Sequence, residues 1–138
     1  MDDIKALYEM YKIVTMGIIG IDEVKGHIED KTLTKTMSDA RKKYMVNKMD
    51  ITNMLKDINE EPEEINIIIK MFNEIYTGIE LIKSDDAKIA KMLTEGTNKG
   101  IIKVEEILNS NVNEKVKTEA EELLDLLEFQ IKSWKSYL

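Results

Sequence analysis

An all-α fold is predicted by three features of the sequence. Apolar residues recur at alternating steps of three and four over most of the chain, the period of an amphipathic helix. One Pro and 6 Gly are too few for an all-β domain, which needs a turn signal every ~8–12 residues. With 43% apolar and 34% charged residues, the chain is too apolar to be disordered and is rich in helix formers. Its 138 residues amount to one domain, and a domain of that size buries a core without a disulfide or a structural metal. No repeat, low-complexity tract or linker divides the sequence, so residues 1–138 are read as a single unit.

The first helix carries Ile4, Leu7, Tyr11, Val14, Ile18 and Ile21, with Lys25 and Ile28 continuing the register. Asp2 and Asp3 suit its N-terminus as cap and as charges against the dipole. Asp30 reads as the next cap, because a second run begins just after it: Leu33, Met37, Ala40, Tyr44, Asn47, Ile51, Met54 and Ile58. Each helix would span about 27 residues, or ~40 Å at 1.5 Å per residue. The tight joint at Asp30 makes them antiparallel neighbours. Glu60-Glu61-Pro62-Glu63-Glu64 is the strong break, and Pro62 suits the first position of a third helix with acids at its positive end. That helix carries Ile65, Ile68, Phe72, Ile75, Ile79 and Ile82. Ser84 or Asp85 caps a fourth, with Ile89, Leu93, Gly96, Gly100, Val104 and Ile107. Asn109 to Asn113 form a polar turn. The fifth carries Val116, Ala120, Leu123, Leu127, Ile131, Trp134 and Leu138.

Two antiparallel pairs joined by a short helix have a geometric meaning. The link, residues 61–85, is long enough to cross the length of a four-helix bundle. Up-down bundles lack such a crossover, and ferritin-like bundles have one. The predicted fold is therefore a ferritin-like antiparallel four-helix bundle with a short crossover helix between its second and third bundle helices.

Composition excludes several chemistries. With no Cys there is no disulfide, no thiolate nucleophile and no Cys-ligated metal, and a single His excludes a multi-His site within one chain. The net charge of -7 opposes binding to nucleic acid or anionic lipid. The apolar runs Ile65 to Ile69 and Leu123 to Leu127 fall far short of the ~20 residues of a membrane span. The Met-Asp-Asp start has no basic n-region, so no signal peptide is read and a cytoplasmic location is expected. No phosphate loop, nucleophile–base pair or dinucleotide fingerprint occurs.

Three stretches resemble a known family. Gly17-Ile18-Ile19-Gly20 is followed by Glu23-Val24-Lys25-Gly26-His27-Ile28-Glu29-Asp30 and by Leu33 after the turn. Asp85-Asp86 leads to Glu95-Gly96-Thr97. The helix spacing, crossover included, covers nearly the whole chain. These features resemble the rubrerythrin-related, ferritin-like bacterial family whose members are mostly domains of unknown function. The family pattern has Gly-Glu-Glu-Gly in the first helix, then Glu-x-x-x-His-x-x-Asp-x-x-Leu, and later Glu-x-Gly-Glu. The resemblance implies the fold and a di-iron or di-manganese site, which needs inward carboxylates from several helices. At those positions this chain has Ile18 or Ile19 and Thr97, and Gln130 is the nearest polar residue where metal-binding members carry His. The departures argue against a metal and against oxidase or peroxidase activity.

The residues left as metal candidates are Glu23 with His27, four apart on one helix face, and Glu121, Glu122 and Glu128 on the fifth helix. His27 near a helix C-terminus also suits the dipole without any metal. Gly17, Gly20, Gly96 and Gly100 lie inside long helices, where each costs ~1 kcal/mol against Ala. Close helix approach compensates that cost, or else a small cavity lies there, and Asn47 on the apolar register either fixes helix register or contacts a ligand. The second helix is locally basic through Lys31, Lys35, Arg41, Lys42, Lys43 and Lys48, and would face acidic stretches such as Glu119 to Asp125 in the chain or in a partner. Met37, Met45, Met49 and Met54 share that helix. Met45, Met49, Tyr44, Trp134 and Tyr137 are the candidate interface, since Met suits surfaces that re-pack.

The first functional reading is a non-enzymatic bundle without cofactor, acting through protein–protein interaction as a homodimer or with a protein partner. The alternatives are a di-metal ferritin-like oxidoreductase or metal-binding protein, which needs at least four converging carboxylates, and a small-ligand binder, which needs an apolar cavity beside Gly17 and Gly96.

Overall fold

The structure, a computed structural model, describes residues 1–79 and 85–138. Ile82 and Ser84, assigned above to the third helix register and to a cap, lie outside the described residues. The described chain is all helical: α1 (Asp3–Val24), α2 (Lys31–Asp57), α3 (Ile65–Ile75), α4 (Asp86–Leu108) and α5 (Glu114–Trp134). No strand occurs among the described residues.

Short polar side chains set most of the helix starts. Asp2, Asp30, Asp85 and Asn113 each accept a hydrogen bond from the backbone N–H three residues on, satisfying a donor that the helix itself leaves free. α2 ends at a residue in the left-handed region, Asn59, with φ 59°. Its two closing bonds run from Asn59 N to the Lys56 carbonyl and from Glu60 N to the Leu55 carbonyl. Asn tolerates that conformation better than other non-glycine residues.

Two Asp-Asp pairs have a divided role. The first residue of each caps its own helix, and the second grips a distant turn. Asp3 accepts from Asn113 N at 2.9 Å and from Asn113 Nδ2 at 2.6 Å, joining the starts of α1 and α5. Asp86 accepts from the backbone N–H of Glu29 at 3.1 Å and of Asp30 at 2.9 Å, joining the start of α4 to the α1–α2 turn. The start of α4 therefore meets the end of α1, and the two helices run antiparallel. Tyr8, near the start of α1, donates to Glu60 at 2.7 Å. Glu60 and Asp86 are thus held at opposite ends of α1.

The four long helices pack as a bundle in the cyclic order α1, α2, α5, α4, and α3 lies outside against α1. Leu7, Met10, Val14, Ile21, Leu33, Met37, Ile51, Leu55, Ile107 and Leu123 fill the core.

Several boundaries and registers differ from the sequence reading. α1 stops at Val24, and Lys25–His27 form a single 3-10 turn, because the chain must reverse before the Asp30 cap. α3 starts at Ile65 rather than at Pro62, which stays in the link after Glu60 is fixed by Tyr8. It ends at Ile75, with Gly78 at φ 79°, a conformation open to glycine. On α5 the inward position after Leu127 is Gln130, while Ile131 is half-buried. Leu138 lies beyond the helix and is exposed.

Candidate functional site

Glycines of α1 and α4 border a cavity of about 290 Å³. Gly17, Gly20, Gly96 and Gly100 all line it. A methyl group at Gly17 would sit 2.6 Å from the Tyr44 ring, and one at Gly96 would overlap the Tyr76 hydroxyl. At Gly20 it would lie 3.5 Å from Leu93 and Phe72, and at Gly100 3.4 Å from Ile13 and Leu127, which are ordinary contacts. Gly17 and Gly96 are therefore sites of close approach, while Gly20 and Gly100 leave room.

α3 forms the outer wall through Met71, Phe72, Ile75 and Tyr76. The Phe72 and Tyr76 rings are 4.7 Å apart at a 40° tilt. Burial pushes the Tyr76 phenol above its ordinary pKa, with Glu95 adding to the rise. At the rim stand Lys12, Lys99 and Lys103 with Glu9. Lys12 pairs with Glu9 and Lys103 with Glu106, both at 3.1 Å. Ile13, Met16, Met92 and Leu93 supply much of the apolar lining.

The inner wall is polar at one place. Tyr44 of α2 and Gln130 and Trp134 of α5 line the cavity and are 3%, 1% and 1% exposed. The Tyr44 hydroxyl donates to Gln130 Oε1 at 3.0 Å. Burial drives the Tyr44 phenol far above its usual pKa, so it stays a neutral donor. Gln130 Nε2 and Trp134 Nε1 are buried with no hydrogen-bond partner. Most buried polar groups are paired, so two orphans one helical turn apart on α5 are unusual, and both atoms are closed off from the open space of the cavity.

These positions correct the interface assignment of Tyr44 and Trp134. Both fall on the apolar register of their helices and are buried within the bundle, with the Tyr44 ring beside Gly17 of α1. Tyr137 is half-buried, and its hydroxyl donates to Asp30 Oδ1 at 3.0 Å, closing the end of the bundle. Met37 is core and Met54 half-buried, whereas Met45 and Met49 are exposed on the outer face of α2.

Asn47 does not line the cavity. It is buried between α2 and α5, where its Nδ2 donates to Glu119 Oε1 at 3.0 Å. Desolvation raises the Glu119 carboxyl pKa, the Asn47 bond works against that rise, and Asp50 and Glu122 add to it. The basic face of α2 is partly satisfied within the chain. Arg41 makes a two-pronged pair with Asp22 at 2.7 and 3.1 Å, Lys35 pairs with Asp39, and Lys43 lies over the Phe129 ring.

The metal candidates are dispersed. Glu23 and His27 are both exposed, and the end of α1 at Val24 breaks the helical spacing that would pair them. Glu121 and Glu128 point to solvent. Among the described residues one group offers three ligating atoms within 4.8 Å: Asp50, Glu119 and Glu122, drawn from α2 and α5 only. The mid-bundle positions of α1 and α4 present Ile18, Gly17, Gly96 and Thr97, and the Thr97 hydroxyl donates to its own helix at the Leu93 carbonyl. A two-ion site drawing carboxylates from four helices does not fit these residues.

The lining contributed by Phe72, Tyr76 and Met92 was not singled out from the sequence. The inward Gln130 was noted only as a replaced ligand, although its spacing from Trp134, one helical turn, places both on one face.

No protein-family model, curated protein or solved structure matches this chain. No helix among the described residues is long and apolar enough to cross a membrane.

Proposed function

We propose that the bundle binds a small, largely apolar molecule in the cavity between α1, α3 and α4. The observation that carries this reading is the cavity itself: about 290 Å³ beside four helical glycines, walled mainly by apolar side chains. Helical glycines cost stability, and at Gly20 and Gly100 the space they leave is not taken up by a neighbour's backbone. A dry cavity of about 150 Å³ holds benzene, so this one suits a guest of about a dozen non-hydrogen atoms. The chemistry is binding without catalysis, because no nucleophile–base pair lies in the lining. The crossing link and the glycine positions support a ferritin-like ancestry in which the mid-bundle metal ligands have given way to this cavity.

Calorimetric titration with α-methylstyrene tests the proposal. One site per chain and a negative heat-capacity change are expected, since apolar surface is buried on binding. Leu93→Trp, which fills the cavity from α4, is expected to abolish the heat while the helical circular dichroism is retained. Absence of binding to the unaltered chain overturns the reading.

A second reading, action on a protein partner or a second copy of the chain, is favoured by the outer face of α2. Val46 is 61% and Met49 65% exposed there, beside Met45. A sedimentation coefficient that rises with concentration, and falls in Val46→Lys, supports it. A monomer at all concentrations contradicts self-association.

A further inference from the structure

α2 and α5 are antiparallel neighbours, since Tyr44 bonds Gln130 while Asn47, further along α2, bonds Glu119, further back along α5. Their charges are opposite. α2 carries seven basic and three acidic residues, and α5 carries six acids and three lysines. Yet no ion pair among the described residues joins the two helices. The reason is where the charges point. Lys35, Lys42, Val46, Met49 and Lys56 follow at steps of seven, four, three and seven, one stripe of α2, and all are exposed. Glu122, Asp125 and Phe129 make a stripe of α5 at steps of three and four, exposed as well. Lys43 reaches across to the Phe129 ring, 5.3 Å from its centroid, so the two stripes border one continuous face.

Resting on the self-association reading above, we infer that this face binds a second copy of the chain, with α2 of each copy laid on α5 of the other about a two-fold axis parallel to the helices. Charge selects that axis. A two-fold running across the helices would set α2 on α2 and α5 on α5, lysine against lysine and carboxylate against carboxylate. The axis along the helices sets the lysines of each copy toward the acids of the other, twice over, as a self-complementary patch requires. Val46, Met49 and Phe129 supply the apolar centre, and the charges form the rim. The 21 residues of α5 span about 32 Å, and two helices side by side are about 20 Å wide, so the pair buries about 1,300 Å² in total. That is the lower end of a stable interface, about 1,200–2,000 Å². The cavity between α1, α3 and α4 lies on the opposite side of the bundle and stays open in the dimer.

Sedimentation equilibrium of two charge reversals, Lys42→Glu and Asp125→Lys, tests the arrangement. Each substitution occurs twice in a two-fold dimer, so each variant alone is expected to dimerise about tenfold or more weakly than the unaltered chain. An equimolar mixture of the two variants is expected to regain the unaltered affinity within about threefold, because each reversed residue then faces the opposite reversal. The mixed pair carries the same total charge as two unaltered copies, so its recovery reports where the charges lie and not their sum. Both positions are exposed, and retained helical circular dichroism shows that each variant folds. Dimerisation that is lost in Val46→Lys but indifferent to both reversals overturns the α2-on-α5 arrangement and leaves self-association standing. Tighter dimers in Lys42→Glu, the result of α2 lying on α2, overturn it as well. A monomer at all concentrations overturns the self-association reading itself and the inference with it.

Discussion

The two sides of α1 are packed in different ways. Toward α2 it meets Leu33, Met37, Ile51 and Leu55, all fully buried, and the space is filled by large side chains. Toward α3 and α4 it meets Phe72, Leu93 and Gly100, and part of the space is left as a cavity. The same helix thus serves a structural contact and a candidate binding wall, and the difference lies in which residue type occupies the i, i+3, i+4 positions of each face. A face built for stability takes Leu, Ile and Met. A face that accepts a guest gives up that burial and the propensity lost at Gly.

The sharpest break between the two sides is expected from truncation. Ile51→Ala on the filled side should cost about 2–5 kcal/mol, because the cavity it leaves cannot collapse. Leu93→Ala at the cavity should cost about 1 kcal/mol or less, since that side chain already borders empty space and is half-buried. Denaturant unfolding measures both, and equal losses would remove the distinction.

Glycine replacement sharpens the contrast within the cavity wall. Gly17→Ala drives a methyl into the Tyr44 ring, whose hydroxyl is bonded to Gln130, and is expected to cost about 1–3 kcal/mol. Gly100→Ala meets Ile13 and Leu127 at contact distance and should gain up to about 1 kcal/mol from helix propensity. Thermal unfolding temperatures that move in opposite directions would bear this out. A loss at both positions would mean that no space exists at Gly100.

The smallest expected effects come from two carboxylates with opposite pH slopes. Asp30 accepts from Leu33 N and from the Tyr137 hydroxyl, bonds that hold its pKa below the ordinary value. Its contribution is present above the unfolded pKa of about 3.9 and is lost as the pH falls through the folded value. Glu119 is raised by desolvation, so its folded form holds the proton more tightly. Stability from this group falls as pH rises from the unfolded carboxyl pKa of about 4.3 through the raised value. Glu119→Gln, which keeps an acceptor for Asn47, is expected to raise the unfolding temperature at pH 7, with the gain shrinking toward pH 4. Asp30→Asn keeps a capping oxygen and should flatten the loss at the acid end.

Much of the architecture was legible in the chain because caps and periodicity are local. Asp2, Asp30, Asp85 and Asn113 announce helix starts within three residues of where they act. The ends were less legible. Val24 and Ile75 stop their helices for reasons set by the turn and by packing on α1, although apolar spacing continues beyond them. The four glycines read equally as close approach or as a cavity, and which holds at each depends on the sizes of Tyr44, Tyr76, Leu93 and Leu127 beside them. Tyr44 and Trp134 were misassigned to a surface because an aromatic on an apolar register serves equally in a core or an interface. Sequence spacing does not say which neighbour covers it. The pairing of Asp3 with Asn113 and of Asp86 with the Glu29–Asp30 turn joins residues far apart in the chain, so no local signal exposes it.

Diffraction from a crystal of the chain under xenon pressure tests the central claim most directly, because xenon enters apolar cavities without needing a hydrogen bond. Xenon density beside Gly20, Phe72 and Leu93, with Tyr44 and Trp134 in place on the inner wall, is the expected result. The same fold with that space closed by side chains and no xenon between α1 and α4 would contradict it.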